Sequence, residues 1–182
     1  MDVAGKIIIV TGAASGIGRG LCQRFAKEGA KAIIAADVNE AGAKAVADEV
    51  KGEAFACDVR KESDIINLAK FTEDKYGRID LFCSNAGIIA IGGYEVDNEA
   101  WQRIWEINVL AHVFAARAVI PGMIKRGGGA FLDHGFGGGA FKPDWFPALF
   151  RHQACGGGPG GKSFHHLRRS GYPGLCPLSA GR

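Results

Sequence analysis

The sequence predicts an α/β protein: a doubly wound parallel sheet with helices on both faces, a three-layer αβα arrangement. Three observations carry this. Short apolar runs recur up to residue 133, each followed by a segment with apolar residues at helical spacing. The connections are short, as alternating strand and helix units require. Turns at residues 11–18, 37–38, 58–59 and 84–87 each come straight after a strand. In a sheet whose strands all run one way these four turns share an edge, and open α/β sheets bind ligands beyond the carboxyl ends of their strands. Right-handed crossovers give the strand order 3-2-1-4, with later strands missing.

Ile7 to Val10 reads as a buried first strand ending at Thr11 and Gly12. The first helix runs from about Gly16 to Glu28, with Ile17, Leu21, Cys22, Phe25 and Ala26 on one stripe and Gly29 as its stop. Lys31 to Asp37 is a second strand. Asn39 caps a second helix with Ala43, Val46, Ala47 and Val50 inward. Glu53 to Cys57 is a short third strand ending at Asp58-Val59. Ser63 caps a third helix carrying Ile65, Ile66, Ala69 and Phe71. Ile79 to Cys83 is a fourth strand followed by Ser84-Asn85-Ala86-Gly87. A long helix starts at Asp97 or Asn98 and runs through Trp101, Ile104, Trp105, Val109, Val113 and Val119, with Pro121 loosening its end. Ala130 to Asp133 begins a fifth strand that the chain does not continue. Strand four is then expected to keep an unpaired edge and the long helix an uncovered apolar face.

Lys6 to Gly18, KIIIVTGAASGIG, is the stretch on which function turns. A strand, a glycine turn and a helix start make a pyrophosphate cradle, since a side chain in the turn would block approach to the backbone. The spacing is G-x-x-x-G-x-G rather than the commoner G-x-G-x-x-G. Asp37 ends the second strand 19 residues after Gly18, close to the roughly 20-residue offset at which an acid meets the adenosine ribose. A carboxylate there accepts from ribose hydroxyls and repels a 2′-phosphate, and neither Val38 nor Asn39 adds positive charge. The expected cofactor is NAD(H) rather than NADP(H). The plainer reading of Asp37 is a helix-capping acid, and of the glycines a tight turn without ligand.

Thr11-Gly12-Ala13-Ala14-Ser15-Gly16-Ile17-Gly18 resembles the cofactor turn of the short-chain dehydrogenase/reductase family, whose fold is Rossmann-like. The resemblance implies that Gly12, Ser15, Gly16, Ile17 and Gly18 hold the pyrophosphate. It likens Asp58-Val59 to the family's adenine-contacting pair and Asn85-Ala86-Gly87 to its N-A-G turn on the nicotinamide side. Asn108 in Ile107-Asn108-Val109 matches the catalytic asparagine of the proton relay. The implied chemistry is interconversion of a small-molecule alcohol and carbonyl by hydride transfer, in a family that is commonly homodimeric or homotetrameric.

The family pattern breaks near residue 133. A serine, then Tyr-x-x-x-Lys, should follow the long helix, but the only tyrosine after residue 109 is Tyr172, followed by Pro173, Gly174, Leu175 and Cys176. Composition changes at the same place. Residues 1–133 carry net −2, whereas residues 134–182 carry net +5, hold 12 of the 28 glycines and contain no valine or isoleucine. Such a tail lacks apolar material to extend the sheet and is expected to be poorly ordered. Read one nucleotide out of register, permitted codons for His134 to Ala140 yield Thr-Ala-Ser-Val-Ala-Gly-Leu, and those for Leu149 to Gln153 yield Tyr-Ser-Ala-Thr-Lys. The recovered serine, tyrosine and lysine fall at the positions written Phe136, Leu149 and Gln153, offsets of 13 and 4 that match the family. A single-base insertion or deletion near Asp133–His134 is the expectation, and little or no turnover from the chain as written.

Other signals point elsewhere and are weaker. Gly156 to Ser163, GGGPGGKS, fits the phosphate-loop pattern and would make Lys162 the centre of a nucleotidase, but no buried strand precedes it. His152, Cys155, His165, His166 and Cys176 match no zinc spacing, so no metal is expected. Arg168-Arg169 lacks interleaved aromatics, so no nucleic acid is expected. No run of about 18 apolar residues implies a membrane span. The first strand begins at once, leaving no room for a signal peptide, and five scattered cysteines suggest reduced thiols and a cytoplasmic setting. A rival reading from another class is a non-catalytic dinucleotide-binding protein.

Overall fold

Ile7–Thr11 forms β1, and all five residues are buried, as a central parallel strand covered on both faces requires. The computed structural model describes residues 2–133 and 176–177. The phosphate-loop-like run at 156–163 with Lys162, the residues His152, Cys155, His165 and His166, the Arg168-Arg169 pair, and positions 136, 149 and 153 lie outside the described residues. After β1 come α1 (Gly16–Lys27), β2 (Ala32–Asp37), α2 (Glu40–Val50), β3 (Glu53–Ala56), α3 (Glu62–Tyr76) and β4 (Leu81–Ser84). A continuous helical stretch follows, made of α4 (Asn98–Trp105), a π-helical turn at Glu106–Leu110, and α5 (Ala111–Lys125). β5 (Ala130–Asp133) and β6 (Cys176–Pro177) complete the described strands.

The sheet order is β3-β2-β1-β4-β5-β6, parallel from β3 to β5. The doubly wound expectation holds, and one part of it is corrected. β4 is not an edge, because β5 pairs with it in register from Leu81↔Ala130 to Ser84↔Asp133. Four residues suffice for this because Phe131 stacks on Phe82, ring centroids 5.7 Å apart. Cys176–Pro177 then pairs antiparallel with Phe131 and Ala130. Backbone groups alone can make such a short pairing, without the β-branched residues that the tail lacks.

Alternation along the strands sorts the core into two faces. Ile7, Ile9, Ile34 and Phe82 meet Ile65, Leu68 and Ala69 of α3 and Ala115, Val119 and Met123 of α5. Ile8, Val10, Ile33 and Cys83 meet Cys22 and Phe25 of α1 and Val46 and Ala47 of α2. Asn39 caps α2 as its sequence position implies, its side chain accepting from the Gly42 N–H at 3.1 Å. Three local expectations fail. Lys61, not Ser63, occupies the N-cap of α3. Ile66 is half-exposed, because the buried stripe runs through positions 65, 68, 69 and 72 and residue 66 lies about 100° from 65. Ile17 is also largely exposed, at the ligand edge.

The stretch Asn98–Lys125 has the length and apolarity of a membrane-crossing helix. Part of that apolarity is spent inside the fold, where Ala111, Ala115, Val119 and Met123 are buried. Pro121 lies within α5, which continues to Lys125. Trp101 and Trp105 of α4 remain 53% and 46% exposed, the uncovered apolar face expected from the sequence.

Asp80 fastens the bottom of the sheet. It is buried, its Oδ2 accepts from the Ile7 N–H at 2.9 Å, and its Oδ1 pairs with Arg78. Asp80→Ala leaves that buried N–H without its acceptor and should lower stability by about 2 kcal/mol. Asp80→Asn, which keeps an acceptor, should cost less, and urea unfolding midpoints for the two variants check the order.

Candidate functional site

The carboxyl ends of β1, β2, β3, β4 and β5 share one edge of the sheet, and the turns that leave them meet there. Gly12 follows β1 with φ +66°, a left-handed conformation that favours glycine. A Cβ on Gly12 would lie 2.8 Å from the Ala86 Cα, so the turns after β1 and β4 touch at that point. Gly18 is tighter still: its Cβ would stand 2.0 Å from the Gly12 carbonyl oxygen. Both glycines are therefore demanded by packing, and the packing leaves the turn's backbone bare.

Ser15 is the N-cap of α1 but makes no side-chain capping bond, and the first turn of α1 contains no acid. Ser15, Gly16 and Ile17 are exposed. The positive end of the helix dipole thus faces the edge without a side-chain anion from its own first turn, which suits a phosphate. Asp37 lies beside this turn. Its Oδ2 accepts from the Ala14 N–H at 3.0 Å and its Oδ1 from the Asn39 N–H at 2.9 Å. A carboxylate oxygen has two lone pairs, so each retains one for a further donor.

Thr11 binds the β1 and β4 turns together. Its Oγ1 accepts from the N–H groups of Asn85 and Ala86 at 3.0 and 3.2 Å, and donates to the Cys83 carbonyl at 3.3 Å. Asn85 returns the contact, donating Nδ2–H to the Thr11 carbonyl at 2.9 Å. Gly87 lies exposed just beyond. Asn108 is reached through the next residue, its Oδ1 accepting from the Ile88 N–H at 2.9 Å and its Nδ2 donating to the Ile88 carbonyl at 2.8 Å. Asn108 sits in the π-helical turn Glu106–Leu110. One amide hydrogen and one oxygen lone pair remain beyond that clasp, so the side chain can still take a further partner.

Asp58 and Val59 follow β3 on the same edge. Cys57 donates its N–H to the Asp37 carbonyl at 3.0 Å, which keeps this end beside β2. Val59 packs against the core. Asp58 is gripped by Arg60, whose hydrogen bond is the main reason its carboxyl sits below the ordinary range. The structure thus joins Gly12, Gly18, Asn85 and Ala86 in direct contact and Asp37 to the same turn. It links Asn108 through Ile88, and Asp58-Val59 only along the edge.

Two groups at this edge were missed from sequence. Arg60 could have been read from its place two residues after Asp58. The other is a buried cluster, in which Ser84 Oγ lies 2.6 Å and Asp133 Oδ1 3.3 Å from His112 Nδ1. His112 comes four residues after Asn108, close to one helical turn, and that spacing was the available signal. A Ser-His-Asp acyl-transfer arrangement needs the serine and the acid on opposite ring nitrogens. Here both face Nδ1, and the cluster ties the ends of β4 and β5 to α5. Among the described residues Cys22, Cys57 and Cys83 are free and buried; burial pushes the Cys22 and Cys57 thiols up to about 12 and Cys83 upward too, which suppresses thiolate chemistry.

Known proteins resemble this chain in sequence and fold. A family model described as short chain dehydrogenase matches residues 6–133. The 1-deoxy-11-beta-hydroxypentalenate dehydrogenase of Streptomyces arenae is 37% identical over 137 residues, covering 71% of this chain and 48% of that protein. The 7alpha-hydroxysteroid dehydrogenase of Escherichia coli K12 is 35% identical over 133 residues, covering 70% and 52%. Among solved structures, a 3-ketoacyl-(acyl-carrier-protein) reductase from Brucella melitensis, complexed with NADH, superposes with TM-score 0.65 at 36% identity over 69% of this chain and 53% of that one. The chain spans about half the length of the curated relatives it matches. The match of fold and sequence over most of the chain establishes that it belongs to the short-chain dehydrogenase/reductase family.

Proposed function

We propose that residues 1–133 form the NAD(H)-binding half of an oxidoreductase that interconverts an alcohol and a carbonyl. The observation that carries this is Asp37, held beside the bare glycine turn by the Ala14 and Asn39 N–H groups. Gly12, Ser15, Gly16, Ile17 and Gly18 would receive the pyrophosphate at the amino end of α1. Asp37 would accept from the adenosine ribose, with Asp58 and Val59 at the base end. Asn85, Ala86 and Gly87 would lie toward the nicotinamide, and Asn108 would hold a proton-relay partner with its remaining amide hydrogen or lone pair. The cofactor, when bound, supplies or accepts hydride. Among relatives, the Brucella reductase is complexed with NADH, which supports a nicotinamide dinucleotide here.

Asp37 also sets the choice of dinucleotide. A 2′-phosphate placed about 4 Å from its carboxylate meets a repulsion of roughly 1–4 kcal/mol per unit charge. NADH should therefore bind at least about tenfold more tightly than NADPH. Titration of the purified chain with each, followed by nicotinamide fluorescence, tests this; tighter NADPH binding would overturn it.

The chain as written contains no Tyr-x-x-x-Lys, so it has no proton donor of the family's kind. We propose that the coding frame slips near Asp133–His134 and that this form turns over little or not at all. That same absence favours the second reading, a non-catalytic dinucleotide binder; a dehydrogenase assay beside the titration separates the two. Retained ATPase activity after Lys162→Ala would remove the phosphate-loop alternative. The reducing, cytoplasmic setting is proposed on the free buried cysteines, and a homodimer or homotetramer on family resemblance.

A further inference from the structure

Gly42 is a glycine inside a helix, the third residue of α2. A helix position ordinarily favours alanine, because glycine loses more backbone freedom on folding. Space explains the exception. A Cβ on Gly42 would stand 2.7 Å from the Ala14 Cβ, 2.8 Å from Asn39 Nδ2 and 3.1 Å from Asn39 Cγ. The Asn39 amide is the end of a side chain and can pivot. The Ala14 methyl is fixed to the backbone of the glycine turn and moves only when that backbone moves.

These two neighbours are also the two supports of Asp37. Ala14 donates its N–H to Asp37 Oδ2 at 3.0 Å, and Asn39 donates its own to Oδ1 at 2.9 Å. Gly42 closes the ring, donating its N–H to Asn39 Oδ1 at 3.1 Å. One residue earlier the turn is tied to β2 by the Ala13 N–H on the Ala36 carbonyl, at 3.1 Å. A carboxylate bonded at both oxygens keeps one orientation, whereas one bonded at a single oxygen can turn about its side-chain torsions.

We propose that Gly42 is a positioning residue for dinucleotide choice. Its bare face lets Ala14 fix the Asp37 carboxylate in the orientation that accepts from a ribose and repels a 2′-phosphate. The inference rests on the nucleotide-binding reading above and deepens its account of Asp37. A side chain at position 42 displaces Ala14, releases Oδ2 and leaves Asp37 held through Asn39. NADH then loses a preorganised acceptor, while NADPH loses part of a repulsion, and the two affinities converge. A turn that was merely loosened would weaken both equally, since both carry the same pyrophosphate. The ratio of the two affinities therefore separates positioning from general disturbance.

Isothermal titration of the full chain with NADH and with NADPH reads that ratio, and urea unfolding midpoints show that each variant folds. Gly42→Ala should lower the NADPH-to-NADH ratio of dissociation constants by roughly three- to tenfold, the worth of about one hydrogen bond. Adding Ala14→Gly, which removes the facing methyl, should restore the unsubstituted ratio to within about twofold. An unchanged ratio in Gly42→Ala would overturn the proposal, and so would a lowered ratio that Ala14→Gly does not restore. If Gly42→Ala fails to fold, the double variant decides: it must recover both the fold and the ratio, and failure of either overturns the proposal. An unsubstituted protein that binds neither dinucleotide, or both equally, would remove the reading of Asp37 and this proposal with it. A preference for NADH that survives Gly42→Ala would remove this proposal alone.

Discussion

Gly18→Ala should abolish NADH binding and lower stability by about 3 kcal/mol or more, at the upper end of the cost of overpacking. The added Cβ would meet the Gly12 oxygen at 2.0 Å, the Gly12 carbonyl carbon at 2.7 Å and Asn85 Nδ2 at 2.8 Å. None of these can step aside cheaply. Gly12 is pressed on its other side by Ala86, and Asn85 Nδ2 is bonded to the Thr11 carbonyl. Relief requires α1 to move away from β1, which opens the turn meant to hold the pyrophosphate. Gly20→Ala is the control two residues further along the same helix. Nothing lies within 4 Å of its Cβ position, so it should stabilise the helix by about 0.5–1 kcal/mol and leave NADH binding intact. Urea unfolding and NADH titration of the two variants give the comparison. Gly18→Ala with an unsubstituted midpoint and affinity would show that contact between the β1 and β4 turns does not build the site.

The sequence carried the framework because β1 and β2 are buried on both faces. A strand in that position must be apolar at every residue, and IIIV and AIIAA satisfy this without ambiguity. Asp37 and the glycines were legible for the opposite reason, as polar or small residues placed where a buried strand should stop. Contacts between distant segments were not legible. The π-helical turn at Glu106–Leu110 has no local signature; Asn108 clasps the Ile88 backbone from within it, across 20 residues of sequence. Ser84 was assigned to a turn, yet it is the last buried residue of β4, because it pairs with His112 of α5 and lies opposite Asp133 of β5. Arg60 carries no distinct signal in the sequence beyond its place after Asp58, since two charges two residues apart usually mark a solvated loop. Its grip on Asp58 matters only once the strand order has put both beside Asp37.

Restoring the coding frame after Asp133 should raise turnover by roughly 10²–10⁴-fold, the usual contribution of a positioned general acid or base. Structure and sequence both lead to this position. β5 runs parallel to β4, and Asp133 at its carboxyl end lies opposite Ser84, immediately before Asn85 to Gly87. Asp133 therefore stands at the ligand edge. On the frame slip proposed above, permitted codons place a serine three residues later, then a tyrosine and a lysine at offsets of 13 and 4. The chain as written has His134 and a glycine run there instead, and no Tyr-x-x-x-Lys anywhere in its sequence. NADH oxidation with a panel of ketones, and NAD reduction with secondary alcohols, should be detectable only for the restored protein. Replacing its recovered tyrosine by phenylalanine should return the rate to background while NADH still binds, since Asp37 and the glycine turn are untouched. Equal turnover by both forms would mean that the proton donor lies elsewhere, and a coding sequence with no Tyr-x-x-x-Lys in any frame would make the written tail the protein's own.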